Sequence, residues 1–185
     1  MARVCLLGRE ASTLRYELLS RETAREALAT YDLREPFENA VGVETVSLGA
    51  AVALLNDLDW HLRRFVDEAL VFEPSVSDEE WLSRDLATAV RNDEVSPEES
   101  ARFLKVYGVE HPGRAGGETD GAPEGESSTE RDGDRSLEPG PAGERPPRLV
   151  EPMFVTRTGE DLPTYDLRDV EETLVARVTE SEFGA

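Results

Sequence analysis

The sequence predicts an α+β (mixed α/β) fold, with a helical N-terminal unit and a small sheet that C-terminal strands complete. Two patterns support this class. A long apolar stripe recurs at helical spacing within residues 47–70, and short β-branched runs occur near both ends of the chain. Three segments follow: an α/β core domain at 1–110, a linker at 111–147, and a β-rich segment at 148–185 that packs on the core domain.

The first predicted elements are a strand, a helix and a second strand. Residues 3–7 form a short apolar run that ends at Gly8, and apolar side chains recur at helical spacing over residues 14–31. After a turn, residues 43–46 have the composition of a strand. This alternation is typical of a unit that mixes helices with a sheet.

The strongest helical pattern begins near Ser47 or Gly49 and ends before Pro74. Its apolar stripe consists of Ala51, Leu54, Leu55, Leu58, Leu62, Phe65, Val66, Ala69 and Leu70. Two shorter helices are predicted from capping boxes, in which a serine and a glutamate three residues later cap the first turn. The capping pairs are Ser77 with Glu80 and Ser96 with Glu99, and the inner faces are Trp81, Leu82, Leu86, Ala89 and Val90 for the first helix and Ala101, Leu104 and Tyr107 for the second.

Residues 111–147 separate these helices from the C-terminal strands. They hold 8 of the 14 glycines, 6 of the 11 prolines and no aromatic residue. Such a segment buries too little apolar surface to offset the entropy of ordering, so we predict a disordered acidic linker. Beyond it, the runs "MFVTRT" and "ETLVARVT" predict strands that join the N-terminal sheet, because 38 residues are too few to fold alone.

The charge of the chain indicates an environment rather than a ligand. The chain has 40 acidic and 20 basic residues, for a net charge of −20, and Lys105 is its only lysine. At multimolar salt the Debye length is below roughly 3 Å, so an acidic surface is tolerated. No basic cluster exceeds Arg63–Arg64, which argues against nucleic-acid binding. Neither a membrane span nor a signal peptide is evident, so we expect a cytoplasmic protein.

No cofactor or metal ion is predicted. The single cysteine, Cys5, excludes an internal disulfide and lies in an apolar run, where a thiol behaves as a small buried hydrophobe. Gly8 follows the first strand, but a phosphate-binding loop needs further glycines and often a lysine, and both are missing after it.

Asp57 and His61 form the first candidate site. Their i,i+4 spacing on the predicted helix could place a carboxylate and an imidazole on one metal ion, or arrange a base with its orienting acid. The alternative is a solvated helix face, on which Arg64 and Glu68 continue the same line as an exposed ion pair. A metal site usually needs a further soft ligand, so the solvated face is favoured.

Tyr31, Asp32 and Arg34 form the second candidate site. Three such side chains within four residues could bind a small polar ligand or a phosphate. The alternative is structural, with Asp32 paired to Arg34 where a helix meets the next turn. The hexapeptide "TYDLRE" at 30–35 also returns as "TYDLRD" at 164–169. Because Pro163 interrupts a helix that the first copy allows, two similar local turns are favoured over a duplicated site.

Three blocks resemble haloarchaeal proteins of a family known only as a domain of unknown function. The blocks are "LRYELLSRETAREALATYDLREPFENAVGVETVSLGAAVALLNDLDWHL", "EPSVSDEEWLSRDLATA" and "TYDLRDVEETLVARVTESEF". The resemblance covers residues 1–110 and 148–185 and implies a haloarchaeal source. It implies no activity and no catalytic residues.

The function favoured by the sequence is a non-catalytic protein-binding or regulatory module with a protein partner. The alternative is a small enzyme or ligand-binding protein that uses Tyr31, Asp32 and Arg34 together with Asp57 and His61. An enzyme of this kind should bring at least three of these five side chains into one concave pocket, whereas an adaptor should expose an apolar patch.

Overall fold

The computed structural model describes residues 1–112 and 145–184, and it confirms the α+β class. The strands are β1 (Ala2–Gly8), β2 (Ala40–Thr45), β3 (Val66–Phe72), β4 (Trp81–Ser83), β5 (Phe103–Glu110), β6 (Arg148–Thr156) and β7 (Glu172–Val178). The helices are α1 (Leu14–Leu19), α2 (Glu22–Leu28), α3 (Leu48–Asp57), α4 (Asp59–Phe65), α5 (Arg84–Arg91) and α6 (Glu180–Phe183), with a 3-10 turn at Glu99–Ala101. The disorder predicted for the linker falls largely outside the described residues.

The seven strands form one open mixed sheet in the order β2-β1-β3-β4-β7-β5-β6. Neighbouring strands are antiparallel except β4 and β7, which are parallel. The C-terminal strands complete the sheet as predicted, and they do so in two places. β6 lies at the outer edge, whereas β7 is inserted between β4 and β5. The middle of the sheet therefore depends on a strand that is the last in the sequence.

Each face of the sheet carries its own apolar cluster. On the helical face, α1 to α5 and alternate residues of the strands bury a large core that includes Leu6, Leu55 and Leu82. On the opposite face, a smaller cluster is formed by Cys5, Ala40, Leu70, Tyr107, Val109, Leu174 and Ala176. Because successive side chains of a strand point to opposite faces, Leu104 and Val106 belong to one layer while Lys105 and Tyr107 belong to the other.

The long helix predicted to Leu70 is divided into three elements. α3 ends at Asp57, α4 starts at Asp59, and residues 66–72 form β3. β3 pairs with both β1 and β4, and its residues from Ala69 to Phe72 are buried. Strands covered on both faces lose the alternation of apolar and polar residues, so their apolar positions also fit a helical stripe.

Of the two predicted capping boxes, Ser96 with Glu99 forms completely and Ser77 with Glu80 forms only by half, and both precede strands. Ser77 Oγ accepts from the backbone N–H of Glu80, yet the next residues form β4. The following helix, α5, is instead capped by Ser83, whose Oγ accepts from the N–H of Leu86 at 3.2 Å. Ser96 and Glu99 also exchange hydrogen bonds, but only a 3-10 turn separates them from β5. A serine hydroxyl that accepts from the N–H three residues later therefore stabilises a turn here without requiring a helix.

The two outer strands approach each other at one corner of the sheet. Just before β2, the N–H of Glu38 donates to the carbonyl of Pro147 at 2.8 Å, and Pro147 directly precedes β6. At the same corner Arg148 Nη2 lies 3.3 Å from Glu10 Oε1. Contacts between strands at opposite ends of a seven-stranded order require a strongly curved sheet. The face opposite the helices is its concave side. Among the described residues, no helix has the length and apolar character needed to cross a bilayer.

Candidate binding cavity

The concave face holds a cavity of about 1070 Å³. Its walls come from the end of β1, the loop before β2, and strands β3, β5 and β6. Its lining residues are Leu7, Gly8, Glu10, Ala11, Ser12, Thr13, Glu35, Phe37, Glu38, Asn39, Asp67, Lys105, Tyr107, Arg148, Leu149, Val150, Glu151, Pro152 and Arg168. Ligand sites are typically concave spaces of this size, with apolar walls and a few polar groups.

Two of the lining residues, Lys105 and Tyr107, form a polar trio with Glu68, which lies next to the cavity lining. Lys105 Nζ lies 2.5 Å from Glu68 Oε2, and the Tyr107 hydroxyl donates to the same oxygen at 3.1 Å. Glu68 belongs to β3 and the other two residues to β5, and β4 and β7 stand between these strands in the sheet order. Since neighbouring strands are about 4.8 Å apart, the contact spans roughly 14 Å of sheet and depends on its curvature.

Burial strengthens the interactions of this trio. The side chains of Lys105 and Glu68 are only 16% and 18% exposed. The ammonium group also lies 5.1 Å from the ring centroid of Tyr107 and 5.4 Å from that of Phe154, within the range of cation–π attraction. Burial, with the nearby Glu68 carboxylate, raises the pKa of Tyr107 far above its usual value. The phenol therefore remains a hydrogen-bond donor at any physiological pH.

Charges of both signs surround the opening of the cavity. Arg148 pairs with Glu10, and Arg168 bonds Glu151 at 2.9 Å and Glu110 at 3.3 Å. These side chains are between about two-fifths and nine-tenths exposed, so a ligand can replace one partner of a pair at little cost. The rim is adaptable, whereas Lys105 and Tyr107 are fixed by partly buried hydrogen bonds to Glu68.

The structure places Tyr31, Asp32 and Arg34 outside this cavity. Tyr31 is half-buried and packs against the helical core. Arg34 Nε lies 3.6 Å from Asp32 Oδ2, and its Nη1 lies 3.7 Å from Glu44 Oε1, with both Asp32 and Arg34 mostly exposed. The backbone of Arg34 exchanges hydrogen bonds with Gly42 on the outer edge of β2. In this arrangement the segment connects α2 to the sheet.

The structure separates Asp57 from His61. Helix α3 ends at Asp57, whose side chain is exposed, and His61 lies one turn into α4 with 5% exposure. His61 Nε2 is 3.3 Å from Thr23 Oγ1, and its Nδ1 has no hydrogen-bond partner. Burial and, secondly, the nearby charge of Arg21 lower the pKa of His61. The predicted ion pair between Arg64 and Glu68 is also wrong, because Glu68 is in β3 and bonds Lys105.

Glu68, Lys105 and Tyr107 are not among the candidate site residues that the sequence predicts. The pattern predicts Tyr107 on the inner face of a helix and Glu68 on a solvated helix, whereas both lie on strands. One signal was available, because Lys105 is the only lysine of the chain. The run "FLKVYGVE" also alternates in a strand-like manner around it.

The fold and cavity define a class: an α+β protein with helices on one face of a curved sheet and a polar cavity on the other. The chain belongs to a family described as "Family of unknown function (DUF5804)", whose model matches residues 2–109. That match extends from β1 almost to the end of β5 and includes Glu68, Lys105 and Tyr107. No curated protein and no solved structure matched the chain in the corresponding searches.

Proposed function

We propose that the chain is a non-catalytic, regulatory binding protein whose concave cavity takes a small polar molecule with a carboxylate or carbonyl oxygen. One observation carries this proposal: the only lysine of the chain lines the cavity and is held 2.5 Å from the partly buried carboxylate of Glu68. An ammonium group has three N–H donors, and Glu68 uses one of them. The others are suited to a ligand oxygen.

The surrounding groups favour a ligand with both apolar and polar parts. Leu7, Phe37 and Leu149 provide apolar wall, and Arg148 and Arg168 provide further donors at the rim. A carboxylate that reaches from Lys105 towards one of these arginines would form charge-assisted hydrogen bonds at both ends. The apolar wall would contribute affinity through burial, which salt does not weaken.

The chemistry of the cavity supports binding rather than catalysis. Tyr107 keeps its proton because its pKa is raised. Cys5 lies in the apolar cluster of the same face, and burial raises the pKa of its thiol to about 12, so it is not a nucleophile at neutral pH. A small enzyme built on Tyr31, Asp32 and Arg34 is less favoured, because none of these side chains lines the cavity.

We further propose that the protein lies in the cytoplasm of a cell with a salt-rich interior and that it binds a protein partner. We propose neither nucleic acid nor a membrane as its ligand. The net charge of −20 with a single lysine supports the salt-rich interior. Fractionation of the native cells at their own salt concentration tests the location. Recovery of the chain in the membrane or secreted fraction would contradict it.

The ligand proposal is tested by thermal unfolding in concentrated KCl against small mono-, di- and tricarboxylates and their amides. A bound ligand raises the midpoint of unfolding according to its concentration and dissociation constant. The double variant Lys105→Gln/Glu68→Gln removes both charges and keeps a hydrogen-bonded pair, so we expect it to fold and to lose the ligand-induced shift. The matched control is Arg15→Gln, an exposed cation of α1 that does not line the cavity. A panel without any shift, or an equal shift in the double variant, would contradict the proposal.

A further inference from the structure

The helical face of the molecule exposes an aromatic side chain between two arginines. Trp60, near the start of α4, is 53% exposed. The guanidinium carbons of Arg21 and Arg64 lie 5.4 and 5.3 Å from its ring centroid. Phe65 packs edge-on against the indole at 6.2 Å and lies 4.8 Å from Arg21. These four residues form the arginine–tryptophan surface.

This surface carries local positive charge in a strongly acidic molecule. Two more arginines are close to it: Arg63 precedes Arg64 in the sequence, and Arg9 Nη2 donates to the backbone carbonyl of Arg63 at 2.9 Å. Among residues 1–112 and 145–184, the carboxylate paired with Arg21 is that of Glu17, at a long 3.7 Å. Arg63 pairs closely with Asp59, an acid that Arg84 shares. Within the described part of the chain, Arg64 has no carboxylate partner, so its charge is available to a ligand.

Cation placement at a helix end explains part of this arrangement. Arg63 and Arg64 are in the last turn of α4, where positive charge is favourable, and Arg9 hydrogen-bonds the same end. The helix end does not account for the exposed indole or for Arg21. Arg21 directly precedes α2, and its Nε is buried without a hydrogen-bond partner. Stacking against Trp60 and Phe65 therefore holds this guanidinium in place.

We infer that the arginine–tryptophan surface binds a carboxylate-rich segment of a partner protein through Arg21, Trp60 and Arg64. Arginine bonds carboxylates with two parallel N–H donors, and tryptophan and arginine are the residue types most often found at energetic centres of interfaces. The acidic remainder of the surface offers carboxylates no counter-charge in direct contact, so charge complementarity favours this face. This inference is independent of the cavity proposed above.

In the salt-rich interior proposed above, the tryptophan would contribute binding that charge alone does not. At 1 M salt the Debye length is about 3 Å, so long-range attraction is screened and only directly contacting charges contribute. Burial of an indole does not depend on charge and is strengthened by some salts. A partner segment should therefore combine acidic residues with an aliphatic side chain that covers Trp60.

The inference is tested by fluorescence titration of the full chain in 1 M KCl. The chain has two tryptophans, so a Trp81→Phe background leaves Trp60 as the only indole emitter. The probe is a synthetic peptide of Glu-Glu-Leu repeats, and the comparison peptide replaces each glutamate with glutamine. We expect a saturable change in Trp60 emission and affinity weaker by about tenfold or more for the glutamine peptide, because charge-assisted hydrogen bonds are lost.

Matched variants locate the binding site. Arg21→Gln/Arg64→Gln should weaken the affinity for the acidic peptide by about tenfold or more. Arg15→Gln/Arg25→Gln, which changes two exposed residues on α1 and α2, should leave that affinity unchanged. If the first double variant fails to fold, Arg64→Gln alone gives the same comparison. The inference is overturned if there is no emission change, if the glutamine peptide binds equally, or if the arginine variant behaves like the control. Tighter binding of duplex DNA than of the acidic peptide at this salt would overturn it too.

Discussion

Glu80 and Arg177 form a buried ion pair that attaches the last strand to the N-terminal part of the chain. Their Oε2 and Nε atoms are 2.6 Å apart, and the side chains are 10% and 9% exposed. Glu80 directly precedes β4, and Arg177 lies in β7 opposite Leu82. Arg157 bonds the same carboxylate. Arg177 also donates to the carbonyl of Pro97 and to Ser100 Oγ at 3.0 and 2.9 Å.

Glu80→Ala should destabilise the protein by about 3–5 kcal/mol, because it leaves a buried guanidinium without its counter-charge. The pKa of Glu80 agrees with this role: burial alone would raise it, but hydrogen bonds from Arg157 and Arg177 outweigh burial and lower it. Urea unfolding monitored by circular dichroism measures the change. Glu79→Ala, at the exposed neighbouring position, should change stability by less than about 0.5 kcal/mol. Equal losses for the two variants would contradict the prediction.

Gly108→Ala should cost about 1–3 kcal/mol, because the added methyl group collides with Tyr165. A Cβ on Gly108 would lie 2.8 Å from Tyr165 Cε1. The ring is held there by its hydroxyl, which donates to the carbonyl of Glu151 at 2.7 Å. In a Tyr165→Ala background the same change should cost less than about 0.5 kcal/mol, since the collision is absent. Tyr31→Ala provides the control. The loss of unfolding free energy in the double variant Tyr31→Ala/Gly108→Ala should equal the sum of the losses in the two single variants.

The protein should lose stability as the pH falls below about 6.5, because His61 is buried with a lowered pKa. At a pH between the lowered pKa of His61 in the folded protein and its usual value in the unfolded chain, the imidazole is protonated only in the unfolded chain. The free energy of unfolding therefore rises with pH over this range. One proton gives a slope of at most about 1.4 kcal/mol per pH unit. His61→Gln should remove most of this slope in denaturation measured between pH about 5.5 and 7, a range mostly above the titration of carboxylates. His111→Gln, at an exposed position, should retain it.

Cys5 should not react with a thiol reagent in the folded protein. Burial raises the pKa of its thiol to about 12, so the reactive thiolate is scarce and inaccessible at neutral pH. In a disulfide-exchange assay we expect no fast reaction in native buffer and one equivalent in urea, since the chain has a single cysteine. Complete reaction within minutes under native conditions would show that the concave face opens readily.

The two TYDLR segments share a sequence but have different surroundings in the fold. Tyr31 packs on the helical core. In the same segment, Arg34 forms a β-bridge with Gly42 of β2, which is an outer strand. Tyr165 packs on Gly108 of β5 and bonds β6, which is the other outer strand. The two tyrosines therefore contact different elements at opposite ends of the strand order. Pro163 predicts this difference, because a proline prevents the second segment from continuing a helix.

The α+β class and the approximate positions of β1, β2 and α3 could be predicted from the sequence, because they depend on periodicity and turn residues within a few positions. β3 and β5 were mistaken for helices. Apolar residues such as Val66, Ala69 and Leu70 satisfy both periods when a strand is covered on both faces. Only the pairing of strands in the tertiary structure decides between helix and strand for these residues.

Composition and local pattern determined by themselves the fold class and the net acidic charge of the chain. The tertiary structure decided which side chains meet. Glu68 and Lys105 are 37 residues apart and lie on strands that are not neighbours, yet their charged atoms are 2.5 Å apart. That contact exists because β7, from the far end of the chain, is inserted beside β5 and the sheet curves over its concave face. Strand order and curvature result from packing of the whole molecule, which no local period encodes.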